Sequence, residues 1–212
     1  MKAYIPLLAL AALAAGCGDD TNGPDDTSTL SFFVSSSTST TGNLGGLSGA
    51  DSRCQSLAAA VGAGSKTWHA YLSTSTVDAR DRIGSGPWRN AGGTIVASTL
   101  TELHARKGDA AVFVDEHGGR INGQWSGSPA PVQHDVLTGS TADGRLLAGM
   151  TCSDWTSASA GQAAQVGHSD GLGPNMDTSG SLSSWNSAHA NQSCADTAPR
   201  GGSGRIYCFA VN

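Results

Sequence analysis

Along this chain the apolar positions change period several times, and each change marks an element. Leu30-Ser31-Phe32-Phe33-Val34 is aromatic and β-branched and predicts a first strand. Ala50, Cys54, Leu57, Ala58 and Val61 then recur at helical spacing. Residues 49–61 therefore read as a helix, with Cys54 on its buried face. Ser48 offers an N-cap with Asp51 three residues on, and Gly62 supplies the stop. Thr67-Trp68-His69-Ala70-Tyr71-Leu72 alternates and reads as a strand. Residues 77–83 and 99–106 predict short helices, with a strand at Thr94-Ile95-Val96 between them. Residues 111–115 and 120–122 predict strands around the turn Glu116-His117-Gly118-Gly119. Residues 136–139 and 149–156 are strand candidates. From 157 to 203 the chain is mostly Ser, Gly, Ala and Asn and predicts long irregular loops. Residues 205–211 form a closing strand. No internal repeat is visible, and the order of elements is α+β.

The first 29 residues follow a different pattern. Lys2 precedes an apolar run from Ile5 to Ala15, too short to span a bilayer but of signal-peptide anatomy. Its ending, Leu13-Ala14-Ala15-Gly16-Cys17, resembles a bacterial lipobox, with Ala14 where leucine is usual. The expectation is a lipoprotein signal over residues 1–16 and lipid on Cys17. An ordinary cleaved signal is the alternative. Residues 18–29 hold no large apolar side chain, and four of the twelve are Asp. Residues 17–29 therefore read as a flexible acidic tether, and residues 30–212 as one domain.

Composition narrows the function classes. Only 14% of residues are charged, 29 of 212 are Gly, and the net charge is −5. A basic footprint for nucleic acid is lacking. Beyond Cys17 there are four cysteines, Cys54, Cys152, Cys194 and Cys208, consistent with an oxidising, extracytoplasmic setting. Four cysteines permit three pairings.

Three stretches carry a family resemblance: Gly42-Asn43-Leu44-Gly45-Gly46-Leu47-Ser48-Gly49-Ala50-Asp51-Ser52-Arg53-Cys54, Thr67-Trp68-His69-Ala70-Tyr71-Leu72-Ser73, and Cys152-Ser153-Asp154-Trp155-Thr156. With Cys194 and Ile206-Tyr207-Cys208 they resemble the collagen-type endostatin domain and its bacterial lipoprotein relatives. The resemblance covers nearly all of residues 30–212. It implies a C-type lectin-like fold of the endostatin type: an irregular mixed sheet with short helices and long loops. It also implies two nested disulfides, Cys54–Cys208 and Cys152–Cys194. Gly49, Ala50, Asp51, Trp68 and Trp155 belong to the matching motifs and read as structural, Asp51 as a cap of the helix start.

Candidate chemistry is sparse. The calcium lectins of that fold use acid–amide triplets. Here Trp185-Asn186-Ser187 lacks the acid and Gly173-Pro174-Asn175 lies after Cys152, so no calcium–sugar site of that kind is expected. Trp155 and Trp185 read as packing residues. Asn175, Asp177, Trp185 and Asn186 remain as a candidate ligand loop. Of the six histidines, His69, His104, His117, His134, His168 and His189, no two stand at a ligand spacing. The acid–His clusters Asp115-Glu116-His117 and His134-Asp135 read as solvated loops. Endostatin's zinc ligands near the chain start have no counterpart, and Arg80, Arg82, Arg89, Arg106 and Lys107 are scattered. No metal, cofactor, catalytic residue or strand-to-helix nucleophile elbow is expected. The function expected is a non-catalytic binding or adhesion module on the bacterial cell envelope, anchored to the membrane through Cys17. Its partner would be a protein or glycan at the cell surface. A structural envelope lipoprotein is the alternative, and a hydrolase the third reading.

Overall fold

The structure is a computed structural model that describes residues 29–211, together with Met1 and Lys2. Leader residues 3–16, Cys17 and tether residues 18–28 lie outside the described residues. The fold is α+β: short helices, a six-stranded mixed sheet, a two-stranded ribbon and two disulfides.

The first strand, β1 (Phe32–Val34), and the last, β8 (Gly202–Ala210), pair antiparallel, with Phe33 opposite Cys208. β8 is the hub of the sheet. β2 (Trp68–Ala70) runs antiparallel to its C-terminal end, and β5 (Asp135–Leu137) runs parallel to its N-terminal part. β6 (Gln165–His168) and β7 (His189–Ala190) extend the sheet beyond β5, giving the order β1-β8-β5-β6-β7. β3 (Trp88–Arg89) and β4 (Ile95–Ala97) form the separate ribbon.

Alternation along β8 explains why it reads as one apolar run. Ile206, Cys208 and Ala210 enter one core, with Trp68, Trp155 and α1 (Gly46–Ala60); Tyr207 and Phe209 enter the other, with Phe32, Trp88, Phe113 and Trp185. A strand buried on both faces has no polar face to show. Cys54 on α1 is bonded to Cys208 on β8, and Cys152 to Cys194, as the family resemblance implies.

The helix begins one turn earlier than its periodicity suggests. Gly45, with φ 77°, is the N-cap, and no side chain caps the start. Ser48 is therefore not the N-cap. Gly49 is required by space: a Cβ there would lie 2.1 Å from the Leu44 carbonyl oxygen. Asp51 does not cap the helix but reaches across to β2, accepting from Ala70 N–H at 2.8 Å and pairing with Arg82 at 2.7 and 2.9 Å. The Arg82 side chain is only 9% exposed. Asp51→Ala leaves Arg82 Nη2 and the Ala70 N–H without their acceptor, while Arg82 Nη1 keeps its bond to the Ala70 carbonyl. We expect a loss of about 2–3 kcal/mol of stability, read as a lower midpoint in guanidinium denaturation. An unchanged midpoint would show that the bridge contributes nothing.

Gly62, with φ 80°, does stop the helix, its N–H donating to the Ala59 carbonyl. α2 (Leu100–Ala105) is capped by the Thr99 hydroxyl, which accepts from Glu102 N–H. Other expectations are corrected. Residues 149–156 are not a strand: Cys152–Trp155 forms a left-handed turn with φ of 50° to 66°. It is held by the disulfide, by Trp155 N–H donating to the Thr151 carbonyl, and by the Trp155 indole donating to the Ser73 carbonyl at 2.8 Å. Residues 111–115 and 120–122 meet only in an isolated bridge between Val114 and Arg120. The segment 157–203 is not all loop, because it contains β6 and β7.

Candidate metal centre

At one end of the sheet, strand register gathers side chains that are distant in sequence. Asp135 opens β5 directly opposite His168, which closes β6. Val166 lies two residues before His168, hence on the same face, and is paired with His189 on β7. Asp135, His168 and His189 therefore project together. His134, just before β5, completes the group. The reading of His134-Asp135 as a solvated loop is thus corrected: both residues are buried, at 3% and 1% exposed. β-pairing and the chain crossing over β6 exclude water from them. In the other acid–His cluster, Glu116 is also buried, accepting from the Ser36 N–H and hydroxyl, while His117 is exposed.

The second nitrogen of each imidazole fixes its orientation. His134 Nδ1 bonds Asp170 Oδ1 at 2.6 Å, His168 Nδ1 the Leu182 carbonyl at 2.8 Å, and His189 Nδ1 the Ala190 carbonyl at 2.9 Å. Bonds to carbonyl oxygen require N–H at Nδ1 and leave the Nε2 lone pairs of His168 and His189 free. All three Nε2 atoms turn toward the Asp135 carboxylate. His134 Nε2 and His168 Nε2 lie 3.3 and 3.4 Å from Oδ1, and His189 Nε2 lies 3.6 Å from Oδ2. Neither Asp135 oxygen nor His168 Nε2 has a hydrogen-bond partner among the described residues. Burial pushes the Asp135 carboxyl up to about 6 and lowers the His168 imidazole to about 4. Burial works against ionisation of Asp170 too. Its bond to His134, the charge of that ring and the Gln124 and Leu172 N–H groups outweigh burial and hold its pKa below the usual value.

Buried acceptors facing one another without a donor are costly unless a cation joins them. Zinc–nitrogen and zinc–oxygen bonds of about 2.0–2.1 Å set tetrahedral edges of about 3.3–3.4 Å, the distance of His134 Nε2 and His168 Nε2 from Asp135 Oδ1, with His189 Nε2 slightly further from Oδ2. A shared metal ion fits this geometry, and His134, Asp135 and His168 offer ligand atoms within 4.8 Å of one another. Backbone carbonyls and Asp170 stand behind the rings, as outer-shell partners do in metal sites. The rings also meet one another, with centroids 4.4 Å apart for His134–His168 and 4.9 Å for His168–His189. Above them opens a pocket of about 350 Å³ lined by the three histidines, Gln124, Pro174, Leu182 and Arg200. Gly201 lets the chain pass close to the His134 ring: its φ is 101°, and a Cβ there would lie 3.2 Å from Cδ2.

The candidate ligand loop is divided by the structure. Asn175 and Asp177 are exposed beside Pro174 at the pocket rim. Trp185 and Asn186 are fully buried: the Trp185 indole donates to the Leu103 carbonyl, and the Asn186 amide donates to Tyr71 Oη and the Thr141 and Ala142 carbonyls. They hold the second core together and present nothing to a ligand. Trp68 and Trp155 are likewise buried. The histidine–carboxylate cluster was missed because Asp135, His168 and His189 are 33 and 21 residues apart, outside any spacing rule. The usable signal was Ala164-Gln165-Val166-Gly167-His168, an alternation placing His168 in phase with two apolar residues.

Fold and site together define a disulfide-bonded α+β protein with a buried histidine–carboxylate centre beneath a small pocket. Residues 37–172 match the family described as protein of unknown function (DUF1554), and the chain belongs to that family. The matched region includes His134, Asp135, His168 and Asp170; His189 lies beyond it. No curated protein matches the chain.

Proposed function

We propose that this chain is an extracytoplasmic metal-binding module, tethered to the cell envelope through lipid on Cys17. Its recognition site is a zinc-type centre formed by His134, His168, His189 and Asp135. The observation that carries the reading is the convergence of three imidazole Nε2 atoms on a fully buried carboxylate without hydrogen-bond partners. Three imidazoles and a carboxylate suit zinc, copper or nickel far better than calcium or magnesium. Four protein ligands suit holding a metal and presenting it rather than hydrolysis, which keeps a position for water. The nested disulfides and the tie between α1 and β8 support the finer reading of a C-type lectin-like fold. The leader residues and the paired cysteines support the envelope location. A protein or glycan partner at the surface would then meet a metal-bearing pocket.

The test is metal titration of the chelator-stripped protein. One zinc ion per chain is expected to bind, tighter than micromolar, with protons released as the ligands give up theirs. Mass spectrometry under native conditions reads the stoichiometry. A protein that takes up no zinc, copper or nickel would overturn the reading.

A further inference from the structure

The pocket above the centre has a chemistry of its own. Arg200 lines it, and its guanidinium has no carboxylate partner among the described residues; its hydrogen bond is Nη1 to the Ala190 carbonyl at 3.3 Å. Arg200 is held at φ 67°, a conformation costly for any residue but Gly, in the short turn Pro199–Gly201. Asn175 and Met176 at the rim share that conformation, with φ of 57° and 60°. Such strain gathers where surroundings over-determine a binding site. The Gln124 side-chain amide faces the same pocket and has no partner among the described residues, its backbone N–H being taken by Asp170. Pro174 and Leu182 supply an apolar wall.

Charge decides what such a pocket takes. A divalent ion with one carboxylate and three neutral imidazoles carries one net positive charge; the ionised Asp170 behind His134 offsets it, and Arg200 at the pocket wall leaves one positive charge in excess. A pocket so charged favours an anion, and a planar carboxylate matches the guanidinium fork. Apolar lining and a volume of about 350 Å³ favour a small ligand with an apolar body.

We infer that the pocket binds a small carboxylate with an apolar body, its carboxylate between the metal ion and Arg200 and its body against Pro174 and Leu182. The inference rests on the metal reading above. Zinc can expand from four ligands to five; His189, whose Nε2 is the most distant of the three at 3.6 Å from the carboxylate, leaves the side on which the anion would join the centre.

Cobalt(II) in place of zinc reports the coordination number through its visible absorption. Benzoate added to the cobalt-loaded full chain is expected to change those bands saturably, and acetate to do so at least tenfold more weakly. Arg200→Gln, which keeps a non-glycine residue in the turn, is expected to weaken the benzoate response at least tenfold in metal-saturated protein. Cobalt bound with benzoate silent, or an equal response in the variant, overturns the carboxylate site alone. Failure to bind cobalt overturns the metal reading and this one with it.

Discussion

Asp135→Asn is expected to raise the melting temperature of the metal-free protein and to abolish the further rise that zinc brings. Both halves follow from one carboxylate. Its side chain is fully buried, neither oxygen accepts a hydrogen bond, and burial pushes its pKa up to about 6. At neutral pH the metal-free protein therefore keeps a charge in the interior without a hydrogen bond, the pull of His134, His189 and Arg200 offsetting only part of the cost of its burial. An amide of the same shape removes that charge and can donate to the Nε2 lone pairs. Relief of a desolvated, unpaired polar group amounts to about 1–3 kcal/mol, or about 2–12 °C for a domain of this size. With zinc at a thousandfold excess over its dissociation constant, the wild type should gain about 4 kcal/mol from binding. The variant loses an anionic ligand and that gain. Differential scanning fluorimetry with and without zinc reads both. A variant less stable than wild type without metal, yet still stabilised by zinc, would show that Asp135 is a structural group and no ligand. The wild-type protein would be holding a destabilising residue for the sake of its site.

The two disulfides are expected to fail in different ways. Cys54–Cys208 closes a separation of 154 residues and joins α1 to β8. Replacing both of its cysteines by Ala should cost about 3–5 kcal/mol and lower the melting temperature by about 6–20 °C. Metal affinity in the folded fraction should change little, since neither cysteine touches the centre. Cys152–Cys194 closes only 42 residues, but β6 and β7 lie inside that loop, with His168 and His189 on them. Its removal should cost less stability and lower metal affinity at least tenfold, because two of the four proposed ligands lose their nearest covalent restraint. Thermal melts paired with zinc titrations separate the two effects. Equal losses of affinity in both variants would mean that the centre depends on global stability alone.

Much of the frame was legible because its elements are extreme cases of simple patterns. β1, β2 and β8 are dense in aromatic and aliphatic side chains, and α1 carries apolar residues at helical spacing up to a glycine stop. Where the reading failed, local propensity was overridden. Gln165-Val166-Gly167-His168 does not look like a buried strand, since half of it is polar. Gly167 is demanded by the Trp185 carbonyl oxygen, which a Cβ would approach to 1.8 Å. No residue type announces the left-handed turn at Cys152–Trp155, which exists because a disulfide and an indole hydrogen bond fix both of its ends. The centre was illegible for a related reason. Its four side chains become neighbours only through the register of β5, β6 and β7, and register is a property of the assembled sheet.

The central place of β8 has a consequence for how such a chain comes into being. β1 and β2 take their pairing from residues 202–210, and β5 pairs with β6 on one side and with that same segment on the other, so during synthesis all three keep an unpaired edge until it emerges. Until then the two cores have no shared wall and Cys54 has no partner. A chain stalled before residue 202 would expose three unpaired edges at once, inviting strand exchange between neighbouring copies. Assembly of the sheet is thus gated by the emergence of residues 202–210, long after the strands they join.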